Sequence, residues 1–293
     1  MPLVVLALSA VVLPVHAQVF TYDGSLRVSR GDYTFDDAIT SAFLINELSV
    51  EESGWWVELT VPVIYQDSPD VRYAGGMPMP GGRQPSEGHG GGGYQGGGGD
   101  HGGGGQNPDS GSRQYDTLGL GDLYLSGAVV VLRDVFDRNT LAASATLKAP
   151  VASATEGFGT GEWDAALGLS WHRRTATNQV SAELSYWWLG DAPDLELSNP
   201  LAFEASYGCS LKNPRWFAEV SLWGRTRTVE DVSGLLAMGV TIHRSVRGAH
   251  AVYATAEAGL TESAPDVAVA VGLRFRLGGL PTDQDAGGSA PRR

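Results

Sequence analysis

The chain has a single cysteine and, beyond its first residues, no long apolar run. With Cys209 alone among 293 residues, an internal disulfide is excluded, and its place in an alternating apolar pattern indicates a small hydrophobe. A membrane-spanning helix needs about 20 consecutive apolar residues. No stretch after residue 17 approaches that length, so a helical membrane protein is excluded.

Positive charge is also scarce. The chain has 20 Lys and Arg against 33 Asp and Glu, a formal net charge of −13. Nucleic acids are bound by basic faces, so no nucleic-acid partner is expected. The glycine-rich residues 75–111 contain no Gly-Lys-Ser/Thr and precede no predicted helix, which excludes a phosphate-binding loop. No cofactor is predicted.

The N-terminus has the pattern of an export signal. An apolar run from Leu3 to Leu13 is followed by Val15-His16-Ala17, with small residues at the two positions that a signal peptidase recognises. It departs from the usual pattern in having no Lys or Arg before the run. We predict a cleavable signal peptide over residues 1–17, with Gln18 as the mature N-terminus.

The rest of the chain is dominated by alternation. In the last segment, Val267, Val269, Val271, Leu273, Phe275 and Leu277 alternate with Ala268, Ala270, Gly272, Arg274 and Arg276, so a strand would have one apolar and one small or cationic face. Twelve segments are predicted as strands: 20–30, 40–50, 54–66, 118–132, 139–150, 161–172, 179–189, 200–211, 215–226, 234–244, 250–261 and 266–277. Crossing a bilayer takes about 9–11 residues per tilted strand. Strands of globular proteins are shorter, about 5–6 residues. The pattern predicts an all-β transmembrane antiparallel barrel of about 12 strands in a bacterial outer membrane.

Loop lengths and aromatic residues agree with this topology. Long connections follow the first, third, fifth and seventh predicted strands, whereas 51–53 and 212–214 are turn-sized, as expected if the N-terminus is periplasmic. The connections after the ninth and eleventh strands are short, so the alternation of long and short connections is imperfect. Predicted girdle residues at strand ends are Trp55, Trp171 and Trp216 on the periplasmic side and Trp163, Trp188 and Tyr65 on the outer side. Segments 43–50 and 123–132 alternate poorly, which leaves their register open.

The predicted organisation is a signal peptide at 1–17, a barrel at 18–280 and a flexible tail at 281–293. Within the barrel, residues 67–117 form a long extracellular loop. Its part from 75 to 111 is nearly all glycine and is predicted to be disordered, because such a chain buries too little surface to offset its backbone entropy. His89, Asp100 and His101 in this loop are weak candidate ligands for Cu²⁺ or Zn²⁺; the alternative is that they are spacers.

The predicted inner face carries charges. A charge facing lipid costs about 2–4 kcal/mol near the bilayer midplane, so charged residues in the polar register should face the lumen. The candidates are Glu58, Glu162, Asp164, Glu183, Glu204, Glu219, Arg225, Glu257, Arg274 and Arg276, with Lys148 beside them. They indicate either an aqueous pore that selects a solute or a packed core of salt bridges.

An enzyme is the second class of function that we considered. Some twelve-stranded barrels are lipases or deacylases that use a Ser–His pair, for which His172 or His243 with a neighbouring serine would be the candidates. The chain contains no Gly-x-Ser-x-Gly motif. A structural barrel without transport is a further alternative.

Three segments carry a family resemblance: Gly119-Leu-Gly-Asp122-Leu-Tyr-Leu125, Lys148-Ala-Pro150 and Gly157-Phe-Gly-Thr160-Gly-Glu-Trp-Asp164. They resemble motifs of the meta-pathway phenol-degradation family of outer-membrane β-barrels, which is transporter-like. Val151-Ala152 stands where the family has Thr-Gly. The resemblance implies a barrel, with uptake of aromatic or other apolar solutes as the suggested activity. Separately, residues 272–277 resemble the terminal signal of the barrel-assembly machinery, which adds that machinery to the expected partners, namely outer-membrane lipid, lipopolysaccharide and a small solute.

Overall fold

A computed structural model describes residues 18–35, 37–68, 70–75, 77–80, 117–192, 196–246 and 250–277. Within these ranges no helix is both long enough and apolar enough to span a membrane. Regular structure in them consists of strands, which are β1 (Val19–Gly31), β2 (Ile39–Glu52), β3 (Trp55–Gln66), β4 (Val71–Ala74), β5 (Met77–Pro80), β6 (Thr117–Leu120), β7 (Leu123–Arg133), β8 (Asn139–Ala149), β9 (Asp164–Arg174), β10 (Asn178–Trp188), β11 (Leu201–Ser210), β12 (Trp216–Arg225), β13 (Leu235–Ser245), β14 (Ala251–Gly259) and β15 (Val267–Arg276).

The strands close into one antiparallel barrel. Each wall strand pairs with its neighbours in sequence, and β1 pairs with β15 from Thr21–Arg276 to Arg30–Val267. Strands β6 and β7 lie end to end along β3 and form one wall strand. The wall therefore has twelve strands, which confirms the predicted fold class. Strands β4 and β5 pair with each other as a separate hairpin.

Alternation places apolar side chains outside and small or polar ones inside. Directly opposite residues of an antiparallel ladder share a face, so Val271 on β15 lies on the same face as Leu26 on β1. Val271 is 59% exposed on the outer surface, whereas Ala268 on the other face is 2% exposed. The largest exposed apolar surface is thus the barrel exterior, as expected for strands that contact lipid.

The two ends of the barrel differ in loop length. One end, here the short-turn rim, holds the turns β2–β3, β7–β8, β9–β10, β11–β12 and β13–β14 together with Val19 and Arg276. The other end, the long-loop rim, holds the remaining connections, including residues 67–116 between β3 and β6. The outward-facing Trp171 and Trp216 lie at the short-turn rim, and the outward-facing Trp163 and Trp188 lie at the long-loop rim, where the sequence predicted girdles.

One sequence-based prediction is wrong at its N-terminal boundary. Gly75 and Met77–Pro80 were assigned by composition to a disordered loop, but they belong to the β4–β5 hairpin and its turn. The reason is that the segment before the glycine tract contributes apolar side chains, including the buried Met79. Residues 81–116, with His89, Asp100 and His101, lie outside the described residues, as do 1–17 and 278–293.

Candidate functional site

The β4–β5 hairpin packs inside the barrel near the long-loop rim. Val71 and Tyr73 join a buried apolar cluster with the inward-facing Phe43 of β2 and Ile64 of β3. The rings of Phe43 and Tyr73 meet edge to face, with 5.2 Å between centroids. This packing fills one side of the lumen with apolar side chains, where a water-filled pore would need polar ones.

Tyr73 has a polar contact within this cluster. Burial raises the pKa of Tyr73 above its ordinary value, so its phenol stays protonated. The hydroxyl donates a hydrogen bond of 3.2 Å to Ser41 Oγ on β2. The hairpin is therefore attached to the β2 wall by packing and by one side-chain hydrogen bond.

Arg225 holds the hairpin from the opposite wall. Its guanidinium lies at the end of β12 and donates to two hairpin carbonyls, Ala74 O at 2.8 Å and Pro78 O at 2.7 Å. The side chain is buried. A buried arginine without acceptors would be very costly, so the two carbonyls explain how the charge is tolerated, and they bind the hairpin to the wall.

The hairpin turns at Gly75, where only glycine fits well. Its φ of +55° lies in the left-handed region, and a Cβ there would come within 3.0 Å of the Trp187 ring. The Gly75 amide donates to Asp164 Oδ2 at 3.1 Å. The turn thus contacts two inward-facing wall residues, one aromatic and one acidic.

Asp164 belongs to a buried ion cluster. Lys148 Nζ lies 2.8 Å from Asp164 Oδ2 and 3.2 Å from Asp122 Oδ2, and it donates to Thr160 Oγ1 at 2.8 Å. The remaining oxygens accept from backbone amides: Asp164 Oδ1 from Gly190 and Asp122 Oδ1 from Ala152. Charges in such a site are stable because each one has several partners.

This cluster brings together the three motifs that carry the family resemblance. Asp122 lies in the first motif, Lys148 opens the second and Asp164 closes the third. Phe158 from the third motif is buried against Gly119 of the first, where an added Cβ would clash with the Phe158 ring. The sequence showed the motifs as turns and strand entries. Their convergence on the hairpin was not predicted.

The lumen towards the short-turn rim is polar. Glu183 of β10 and Glu204 of β11 lie directly opposite each other on the inner face, and both are solvent-exposed there. Glu219 of β12 faces the same space. In the described part of the chain, no Lys or Arg pairs with these three carboxylates. They form an acidic wall, defined here as Glu183, Glu204 and Glu219.

Two inward-facing arginines lie on the facing wall. Arg27 of β1 pairs with Glu257 at 2.6 Å, and Arg274 of β15 pairs with Asp23 at 2.8 Å. Strand β1 lies six strands from β10 in either direction around the barrel, so the arginines face the acidic wall across the lumen. Each of these arginines is paired with its own carboxylate, whereas the carboxylates of the acidic wall have no such partner among the described residues.

The other predicted lumen residues occupy less central positions. Glu58 is on β3, near Glu47 of β2 on the same face; Glu162 lies just before β9 at the long-loop rim; and Arg276 ends β15 at the short-turn rim. Four further charged residues face inward that the sequence did not predict as lumen residues: Asp23, Arg27, Glu47 and Asp122. The available signal was the alternation of inward and outward residues along each strand, and this alternation is poor in β2 and β7.

The enzyme candidates lack a catalytic geometry. Ser181 lies opposite His172 across the β9–β10 ladder, but its hydroxyl is hydrogen-bonded to Ser206 at 2.7 Å. The His243 ring lies between the Phe217 and Tyr253 rings, at centroid distances of 6.0 and 5.6 Å. Among the described residues, no hydrogen bond joins a serine hydroxyl to either histidine, and no group of three or more His, Cys, Asp or Glu could hold a metal ion.

Comparison with known proteins identifies the fold. No protein-family model and no curated protein matches the sequence. Among solved structures, the chain is similar to the COG4313 outer membrane channel from Pseudomonas putida F1, with a TM-score of 0.60 and 13% identity over 90% of this chain and 97% of that one. The NanC porin gives a TM-score of 0.49 at 10% identity, covering 88% of this chain and all of that one, and the KdgM porin gives 0.48 at 6%, covering 87% and 98%. The chain has the fold of a twelve-stranded outer-membrane β-barrel.

Proposed function

We propose that this protein is an outer-membrane channel that lets small cationic or neutral solutes pass passively. The observation that carries the proposal is the acidic wall, where Glu183 and Glu204 are exposed to solvent inside the barrel. Like charges placed opposite each other destabilise a sheet, and hydration in a water-filled lumen lowers that cost. An acidic lumen raises the entry barrier for anions.

The hairpin forms the constriction of this channel. It occupies the lumen towards the long-loop rim, and passage requires that it move or that solutes pass beside it. Its polar contacts with the wall include two hydrogen bonds from Arg225, one from Gln66 Nε2 to Val71 O, one to Asp164 and one to Ser41. These contacts are separate from the strand pairings that close the ring, so release of the hairpin would leave the barrel closed.

The proposed setting is the outer membrane of a Gram-negative bacterium, with the short-turn rim in the periplasm. The outward apolar face contacts outer-membrane lipid and lipopolysaccharide, and the barrel-assembly machinery inserts the chain. The family resemblance suggests aromatic or apolar solutes. A purely structural barrel and an outer-membrane lipid hydrolase are the alternatives.

The test is conductance of the refolded protein in a planar bilayer. We expect cation-selective channels, with selectivity reduced in Glu183→Gln/Glu204→Gln. Arg227→Gln, a change at an exposed residue beyond β12, is the control and should keep the selectivity. Anion selectivity would refute the charge argument. Absence of conductance together with absence of solute uptake into liposomes would refute the channel itself.

A further inference from the structure

The short-turn rim carries cations without acidic neighbours over the strands β9 to β14. We call this stretch the basic arc and define it as Arg173, Arg174, Lys212, Arg215 and Arg244. Residues 171–180, 211–216 and 243–252, which form its turns, contain no Asp or Glu. In a chain with a formal charge of −13, this stretch has a local excess of positive charge.

Two of these arginines belong to the lipid-facing surface. Arg173 pairs with Val180 across the β9–β10 ladder, and Arg244 pairs with Val252 across the β13–β14 ladder. Both arginines are in the outward register of their strands, two residues beyond Trp171 on β9 and two beyond Ile242 on β13. Each arginine is the next-to-last residue of its strand, which places it where the apolar exterior ends.

Aromatic rings mark the same level. The Arg244 guanidinium lies over the Trp216 ring, 5.2 Å from its centroid, and Trp171 precedes Arg173 on the same face. Trp at a barrel end lies at the level of the lipid headgroups. The two guanidinium groups are therefore at the depth of the headgroup phosphates.

The acids of the adjacent turn do not neutralise the arc. Asp134 accepts hydrogen bonds from the Arg138 amide and the Asn139 side chain, and Asp137 lies 3.6 Å from Arg133. Within the part of the chain that the structure describes, no carboxylate forms an ion pair with Arg173, Arg215 or Arg244. Their donors are available to an external anion.

We propose that the basic arc binds the headgroup phosphates of anionic phospholipids in the periplasmic leaflet. The proposal rests on the outer-membrane location proposed above. Arginine matches phosphate geometry with two parallel N–H donors, and strand ends hold these donors in fixed positions. A lipid is favoured over a soluble acidic macromolecule because Arg173 and Arg244 face outward beside tryptophans.

The test uses the full refolded chain in vesicles of phosphatidylethanolamine and phosphatidylglycerol in equal parts. The protein is extracted in mild detergent, and the two lipids retained with it are quantified. We expect enrichment of phosphatidylglycerol, reduced about fivefold for each charge removed in Arg173→Gln/Arg244→Gln. Enrichment should also fall between about 0.1 M and about 1 M salt.

Arg30→Gln/Arg227→Gln is the matched control. It removes two cations at the long-loop rim. Arg30 also faces outward but lies two residues from Asp32 and pairs with Val267 beside Asp266, so its charge has acidic neighbours that the arc lacks, and this variant should retain phosphatidylglycerol as the unmodified protein does. Equal enrichment in the arc variant and the control, or no enrichment in the unmodified protein, would overturn the proposal. Binding of soluble polyglutamate through the arc without preference for phosphatidylglycerol would also overturn it and indicate an acidic macromolecule.

Conductance of the same preparations separates this proposal from the channel. A protein that retains phosphatidylglycerol through the arc but neither conducts nor lets solute into liposomes would refute the channel and support the lipid site. A protein that conducts without any preference for phosphatidylglycerol would refute the lipid site and support the channel.

Discussion

Lys148 Nζ lies 2.8 Å from Asp164 Oδ2 inside the barrel, and both side chains are fully buried. The two residues are directly opposite on β8 and β9, so the ladder itself holds them together. Because Asp164 also accepts from Gly75, one ion pair links two wall strands to the hairpin. The barrel wall and its internal hairpin are thus stabilised by the same contacts.

We expect Lys148→Met to destabilise the barrel by about 3–5 kcal/mol, because it leaves Asp122 and Asp164 buried without their cation. Urea unfolding in detergent, followed by gel mobility of the unheated sample, measures the change. Arg274→Gln is the comparison, since it removes an ion pair whose arginine is 53% exposed. It should cost less than about 1 kcal/mol. Equal losses would show that burial of the cluster contributes little.

Arg225→Gln should release the hairpin while the barrel still assembles. The shorter side chain cannot donate to both Ala74 O and Pro78 O, so the hairpin loses its anchor on β12. The expected result is a higher single-channel conductance with unchanged heat-modifiability. Arg227→Gln, two residues further along the chain and exposed, should leave conductance unchanged. A conductance that does not rise in the Arg225 variant would mean that the hairpin does not limit passage.

Val271→Arg should block membrane assembly, and Ala270→Arg should be better tolerated. Val271 is on the exterior, where an arginine costs about 2–4 kcal/mol at the midplane, whereas Ala270 faces the lumen opposite Arg27. The quantity to compare is the amount of heat-modifiable protein in outer-membrane fractions. Equal loss of both variants would contradict the observed register.

Deletion of residues 84–110 should leave folding, heat-modifiability and conductance unchanged. The cost of closing a loop depends only logarithmically on its length, and the β4–β5 hairpin is retained. A longer deletion, 71–110, removes the hairpin and should raise the conductance. Loss of Cu²⁺ or Zn²⁺ binding in the shorter deletion would instead show that His89, Asp100 and His101 are ligands, and loss of assembly would refute the prediction of an independent outer loop.

The strands were predictable because lipid and lumen impose opposite demands on alternate residues. The prediction weakened in β2, where Phe43 and Ile45 are apolar yet face inward. They do so because the hairpin fills the lumen on that side near the long-loop rim. Phe43 is in the core of the apolar cluster, and Ile45 packs against the cluster. The poor alternation that left the register of β2 open therefore results from packing against the hairpin.

The ion cluster was not predictable from alternation alone. Alternation assigns Lys148 and Asp164 to the inner face, but which inward residues meet depends on how far each strand is shifted along its neighbour. That shift is set by the closed barrel as a whole. The inward position of Asp122 was harder still to predict, because Asp122 lies at the break between β6 and β7, where the alternation is interrupted.

The pairing of β1 with β15 joins the first wall strand to the last. The first strand obtains its second partner only when the last one is present, so eleven wall strands precede the one that closes the ring. Until then the chain has two unpaired edges, and such edges readily pair with other chains. A ribosome that stops before Val267 would release a protein with most of its wall strands and no closed ring. For this protein, incomplete synthesis would therefore produce an aggregation hazard rather than a leaky pore.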